Sequence, residues 1–164
     1  MNKIPTPEDF ERATRIDKEN NRNLSKVDAN VVRHFRWKCK IVLFDIFYEG
    51  REFAFRVFVF FKKNSDIEAY RLNGIVQEIE EFVCDELVRQ GRGTKGEFKV
   101  AFEFDSEENV KTNFGGNYMA RMCSEANGGK PGEVKGVRAG DNGDTRVEEK
   151  GMSPIIDETV EVSC

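Results

Sequence analysis

The stretch 36–63, RWKCKIVLFDIFYEGREFAFRVFVFFKK, constrains this chain more than any other. Two runs rich in Val, Ile, Phe and Tyr flank Glu49-Gly50. Such residues fit a pleated, half-buried surface, and an X-Gly pair between two of these runs marks a hairpin. The pattern predicts residues 37–48 paired antiparallel with 51–61. The centre of that hairpin is apolar on both faces. Ile41, Leu43 and Phe47 alternate with Val42, Phe44 and Ile46, and Phe53, Phe55, Val57 and Val59 alternate with Ala54, Phe58 and Phe60. A surface sheet needs one apolar face only, so the second must meet something else.

The flanking segments offer candidates to cover it. Thr6-Pro7-Glu8 predicts a helix start, with Thr as N-cap, Pro at the first helical position and acids near the positive dipole end. Phe10, Ala13 and Ile16 give that helix a thin apolar stripe through Asp17, and the polar run 18–23 reads as a linker. Ser25 and Asp28 resemble a capping box, after which Val27, Val31 and Phe35 share one helical face. Beyond the hairpin, 67–72 reads as a weaker third strand that Asn73-Gly74 ends. Residues 75–90 carry the clearest helical pattern, with Ile75, Ile79, Phe82, Val83 and Leu87 on one face and Glu78, Glu81, Asp85 and Arg89 on the other.

Residues 97–104 alternate Phe98, Val100, Phe102 and Phe104 with Lys99, Ala101 and Glu103, a one-sided strand pattern. Asp105-Ser106 can cap a helical turn at 107–111, and 117–122 reads as a last short strand or docking segment. The expected fold class is α+β. A mainly antiparallel sheet of about four strands is packed by one long amphipathic helix, with N-terminal helices on an edge or on the second face, in one domain over 1–123.

From Ser124 to Cys164 there are no aromatic residues, and glycines recur among charged and amide side chains. That composition buries too little apolar area to offset the ordering entropy, so 124–164 is expected to be a disordered acidic tail. Within it, 154–162 (PIIDETVEV) is a short aliphatic and acidic run that can either fray or dock as an added strand. Bases and acids balance over 1–123, so the net charge of −4 belongs to the tail. Bases predominate over 33–63 and acids over 64–110, which suits oriented binding or self-association through opposite patches, including a homodimer.

Cys39, Cys84, Cys123 and Cys164 are scattered, without a CxxC pair, and Cys39 and Cys84 sit in apolar patterns that suit core packing. No signal-peptide pattern opens the chain and no run is long and apolar enough for a membrane span, so a cytoplasmic protein with free thiols is expected. His34 is the only histidine, and no HExxH, GxSxG or Walker-type loop occurs. The residues thus point to no catalytic group, no metal and no cofactor. The basic, aromatic hairpin is the strongest nucleic-acid signal. Exposed rings there could stack the bases of single-stranded DNA or RNA, while Arg33, Arg36, Lys38, Lys40, Arg51 and Arg56 meet phosphates and Trp37 sits at the hairpin mouth.

The stretch 102–121, FEFDSEENVKTNFGGNYMAR, resembles a signature of small bacterial immunity proteins from polymorphic-toxin and contact-dependent inhibition systems. The matching positions are Phe104-Asp105, Ser106-Glu107-Glu108 and Gly116-Asn117-Tyr118, and the resemblance spans about 37–121; the long Gly-rich acidic tail departs from it. It implies a non-enzymatic inhibitor that binds one cognate toxin, often a nuclease with a basic cleft, and blocks its active site. The acidic residues Glu78, Glu81, Asp85, Asp105, Glu107 and Glu108 would supply a complementary surface, with Phe114 and Tyr118 as anchors.

Overall fold

The computed structural model describes residues 4–50, 53–124 and 160–163. In chain order these form helices α1 (Pro7–Asn20) and α2 (Leu24–Phe35), strands β1 (Leu43–Tyr48) and β2 (Ala54–Phe61), and helices α3 (Asn64–Leu72) and α4 (Ile75–Arg89). Strand β3 (Lys99–Ser106), helices α5 (Glu107–Phe114) and α6 (Tyr118–Ser124) and strand β4 (Val160–Ser163) follow. The class is α+β, as the patterns predict, but the sheet is mixed: β1 pairs antiparallel with β2, whereas β3 runs parallel to β2. A parallel neighbour needs a long crossover, and α3 and α4 provide it.

Residues 67–72 are helical rather than a strand. Asp66 accepts a hydrogen bond from the Lys63 backbone N–H at 2.9 Å and so starts α3. Ile67 and Tyr70 then fall at helical spacing toward the core, where Tyr70 packs on Phe61 with ring centroids 4.8 Å apart. Residues 117–122 are also not a strand. The Asn117 side-chain oxygen accepts from the Ala120 N–H at 3.0 Å, an N-cap contact that launches α6. Three long strands and the short β4 therefore make the sheet, in the order β1-β2-β3-β4.

Both faces of the hairpin are covered, by different helices. Phe44, Ile46, Phe55, Val57, Val59 and Phe61 join Val100 and Phe102 beneath α2 and α4, which contribute Val27, Val31, Phe35, Ile79, Val83 and Leu87. On the opposite face Phe58 and Phe60 meet Val110 of α5 and Met122 of α6, with Tyr118 set edge-on to Phe60 at 5.0 Å. Thus α2 shares the role expected of α4 alone, and the second face is closed from the C-terminal side. Helix α1 closes neither face. Its Thr6–Asp9 capping box forms as expected, yet none of its residues is buried and Phe10 and Ile16 stay exposed.

Strand β1 starts at Leu43 rather than Trp37, because the chain leaving α2 continues in turns: the N–H groups of Lys38 and Cys39 both bond to the Phe35 carbonyl. Helix α2 starts at Leu24 rather than at the Ser25 box. Asn23 precedes it in a left-handed conformation (φ 61°), with its side-chain amide donating to the Gln90 carbonyl at 3.1 Å. Of the two outcomes open to 154–162, docking as an added strand is the one its last residues take: β4 pairs antiparallel with β3 in the register Val100↔Val162. Residues 125–159 lie outside the described residues.

One acid sits inside the α2–α4 contact. Glu86 is fully buried and accepts hydrogen bonds from Asn30 of α2, from Arg89 and, at 2.8 Å, from Gln90. Burial pushes its carboxyl up, but hydrogen bonds from Gln90 and Asn30 and the nearby Arg89 outweigh that and hold it below its ordinary value. A carboxyl depressed in the folded state adds stability that is present above its unfolded value of 4.5 and is lost as pH falls through the folded one. Thermal melts should therefore show a midpoint that drops on acidification below about pH 4.5, and a smaller drop for Glu86→Gln. Asn30→Ala, which removes one donor from a buried carboxylate, should cost ~1–3 kcal/mol in urea titrations.

Candidate functional site

The structure separates the acidic residues that the sequence groups together. Glu78, Glu81 and Asp85 are exposed in one row on the outer side of α4, over the face that α2 and α4 cover. Asp105, Glu107, Glu108, Phe114 and Tyr118 belong to the end of β3, α5 and the start of α6, on the other side of the sheet. No single surface presents both sets.

The second set is occupied within the fold. Asp105 is buried, ion-paired with Arg121 and hydrogen-bonded by Asn109 at 3.0 Å. Glu107 pairs with Lys62 and Lys111, and its hydrogen bonds from Lys62 and then Lys111 hold its carboxyl below the usual range. Glu108 accepts from the Asn64 backbone N–H at 2.9 Å, tying α5 to the start of α3. Ser106 caps α5 by accepting from the Asn109 N–H at 2.9 Å, and Gly115 and Gly116 turn the chain at positive φ. Phe114 and Tyr118 are half-buried against Phe58 and Phe60. Burial pushes the Tyr118 phenol up, and its oxygen has no hydrogen-bond partner among the described residues. The 104–118 signature thus marks a structural corner.

The basic residues divide as well. Arg56 points to the second face, where it bonds Glu49 at 2.8 Å and lies 3.5 Å from the buried Glu103. Arg51 lies outside the described residues. Arg33, Arg36, Trp37, Lys38 and Lys40 gather at the end of α2, where cations also suit the negative end of the helix dipole. Arg33 donates to Asn30, the Arg36 guanidinium lies 4.4 Å from the centre of the Trp37 ring, and Lys38 pairs with Glu78. The β2 rings from Phe55 to Phe61 are all buried and present no open face to a base.

What the sequence assigned to two different surfaces is contiguous here. His34 stacks on Phe82 of α4 at 4.2 Å, Phe35 meets the same ring edge-on, and Lys38 bridges to Glu78. These contacts hold the segment that carries Trp37, itself 83% exposed, through its neighbours Phe35 and Lys38 to α4. Two members of that row carry counterions, Glu78 with Lys38 and Asp85 with Lys95 at 3.1 Å. Both pairs are half exposed or more, so the ions separate at little cost when a partner offers others. Glu81 is exposed, with no ion pair among the described residues.

Several features escape sequence reasoning. A cavity of about 180 Å³ opens between the end of α1 and the hairpin, lined by Arg22, Tyr48, Phe53, Phe55 and Arg92 among others. Arg92 lies over the Tyr48 and Phe55 rings and donates to the carbonyls of Glu19 and Arg22, clasping the α1–α2 turn to the core. Phe53 holds a left-handed φ of 56° at its rim. Asp28 and Asp45 are both pushed up, each chiefly by burial, and Asp45 adds repulsion at Asp28. Among the described residues no three His, Cys, Asp or Glu side chains converge to hold a metal ion. None of the helices there is long and apolar enough to cross a membrane.

The thiols are not equivalent. Cys39 and Cys123 are free, whereas Cys84 is disulfide-bonded, which corrects the expectation of free thiols throughout. Burial pushes the Cys39 thiol up to about 11; Glu78 adds to this and Lys38 opposes it. Comparison with protein-family models, with curated proteins and with solved structures finds no match to this chain. Because the thiolate is the reactive form, iodoacetamide at pH 8 should label exposed Cys123 readily and Cys39 only after unfolding. Equal native labelling, read by peptide mass spectrometry, would contradict the packing around Cys39.

Proposed function

We propose that this protein is a non-catalytic binding module of the immunity type, which neutralises a cognate toxin by docking through the outer side of α4 with Trp37 as its anchor. The observation that carries this reading is a strongly exposed Trp37, backed by Arg36 and followed by Lys38, whose ammonium pairs with Glu78 of the exposed Glu78–Glu81–Asp85 row. Trp and Arg dominate the energetics of protein interfaces, while a row of like charge steers a complementary partner and fixes its orientation. A toxin with a basic active-site cleft fits such a row. The cations of its cleft would replace Lys38 and Lys95 on Glu78 and Asp85.

In this reading the signature at 104–118 builds the corner that holds α5 and α6 on the sheet, and the partner contacts come from elsewhere. The module has no chemistry of its own: affinity comes from burying Trp37, and orientation from the carboxylates. Binding by a helix face on a rigid sheet needs no rearrangement, so association should be fast and sensitive to salt.

The test uses the protein encoded beside this one as the bait. Trp37→Ala should weaken its capture by roughly 30-fold or more, as loss of a hot-spot aromatic does. Reversing Glu78, Glu81 and Asp85 to Lys should slow association and flatten its salt dependence, with circular dichroism unchanged. Capture at wild-type strength by both variants would remove α4 and Trp37 from the interface. Loss of capture on changing Lys111 and Asn113 instead would move the site to α5.

A further inference from the structure

The cavity between the end of α1 and the hairpin carries unused hydrogen-bond donors beside aromatic rings, and its lining includes neither Trp37 nor any member of the acidic row on α4. We propose that it is a binding site for a small aromatic carboxylate, one flat ring bearing one carboxyl group.

Arg92 supplies the contact to the anion. Its Nη1 donates to the carbonyls of Glu19 at 3.0 Å and Arg22 at 2.9 Å, which ties the guanidinium to the turn between α1 and α2. The guanidinium carbon lies 5.5 Å from the centre of the Tyr48 ring and 5.4 Å from that of Phe55. Nε and Nη2 donate to no atom of the described residues, and Arg92 has no ion pair among them. These two N–H groups share one edge of the guanidinium and point the same way, a fork that takes both oxygens of a carboxylate. Burial, and then the neighbouring Arg22, hold the Arg92 guanidinium below its ordinary value. A bound anion offsets both.

Charge and size select the ligand. Among the described lining residues Arg22 and Arg92 stand against Glu19, and Arg22 is already paired with Glu19 at 3.2 Å. One positive charge is left over, which matches a carboxylate better than the nearly double charge of a phosphate monoester. The cavity measures about 180 Å³. An apolar cavity of about 150 Å³ is enough to hold benzene, so a single ring fits. A drug-sized ligand, whose pockets run from roughly 300 Å³ upward, does not.

Phe53 supplies the apolar wall. It is 47% exposed and holds a left-handed φ of 56°. A non-glycine residue stays in that region only where its surroundings force it, and such positions cluster at ligand clamps. Gly93 fixes the ring from one side. A Cβ there would fall 2.9 Å from Phe98 Cε1 and 3.3 Å from Phe53 Cδ1, so glycine alone lets the chain pass this close.

The probe is benzoate, titrated into the full chain and followed by amide chemical shifts. Saturable shifts centred on residues 48, 53, 55 and 92 are expected. Benzamide, which keeps the ring without the charge, should bind roughly tenfold more weakly or worse, and so should benzoate to Arg92→Lys, which keeps the charge without the fork. Phenyl phosphate should bind more weakly than benzoate. Phe53→Gly suits the left-handed backbone and removes the ring, so it should bring benzoate down to the level of acetate and leave acetate unchanged; it decides the matter even where Arg92→Lys loosens the turn. The absence of saturable shifts, or equal binding of benzamide, would remove the site. Tighter binding of phenyl phosphate would overturn the carboxylate, and undiminished benzoate binding by either variant would overturn the fork or the ring wall that it tests.

Discussion

The fold depends on one strand that has no polar face to spare. From Ala54 to Phe61 every residue of β2 except Arg56 is buried, so β2 needs a strand on each side and a packed layer above and below. Burying a Phe or Val side chain contributes about 1.5–3 kcal/mol, and β2 concentrates several such side chains in eight residues. The helices follow from that requirement. On one face α2 and α4 supply aliphatic stripes and the Phe35 and Phe82 rings; on the other, α5 and α6 close over Phe58 and Phe60.

Charge is arranged around this frame rather than within it, with two exceptions. Glu86 is buried between α2 and α4 and satisfied by three donors, and Glu103, Asp105 and Arg121 share the second face with Arg56. Such groups add less to net stability than a well-packed apolar core would, but truncating one partner is costly, so they fix which helix lies where. Most remaining ion pairs lie at the surface; on α4, Glu78 pairs with Lys38 from the turn after α2 and Asp85 with Lys95 from the loop after α4.

Much of this is legible in the sequence where the signal is local. The centre of the hairpin, the stripe of α4 and the caps at Thr6 and Ser106 all follow from periodicity or capping chemistry. Segments 67–72 and 117–122 were not, because six residues with two or three apolar side chains satisfy a period of 2 and of 3.6 about equally. The parallel pairing of β3 and the docking of β4 are set by contacts far apart in sequence. The same division holds for the candidate site. The row on α4 is a helix face and can be read directly, whereas the burial of Asp105 depends on Arg121 and the corner at Gly115-Gly116. Trp37 is visible in the sequence, but the pairing of the adjacent Lys38 with Glu78 is not. The disulfide of Cys84 has no local signature at all.

The account rests on the hairpin rings being spent on packing, with Trp37 left to serve a protein partner. Trp37 is the chain's sole tryptophan, so its fluorescence reports directly on that surface. The deciding measurement is a titration with single-stranded DNA and RNA at low and at physiological salt. The account predicts no saturable quenching at physiological salt, and at low salt only weak, sequence-independent association through the cations near Trp37. Tight binding with Trp37 quenched and a steep salt dependence would contradict it, and would make the end of α2 a nucleic-acid surface.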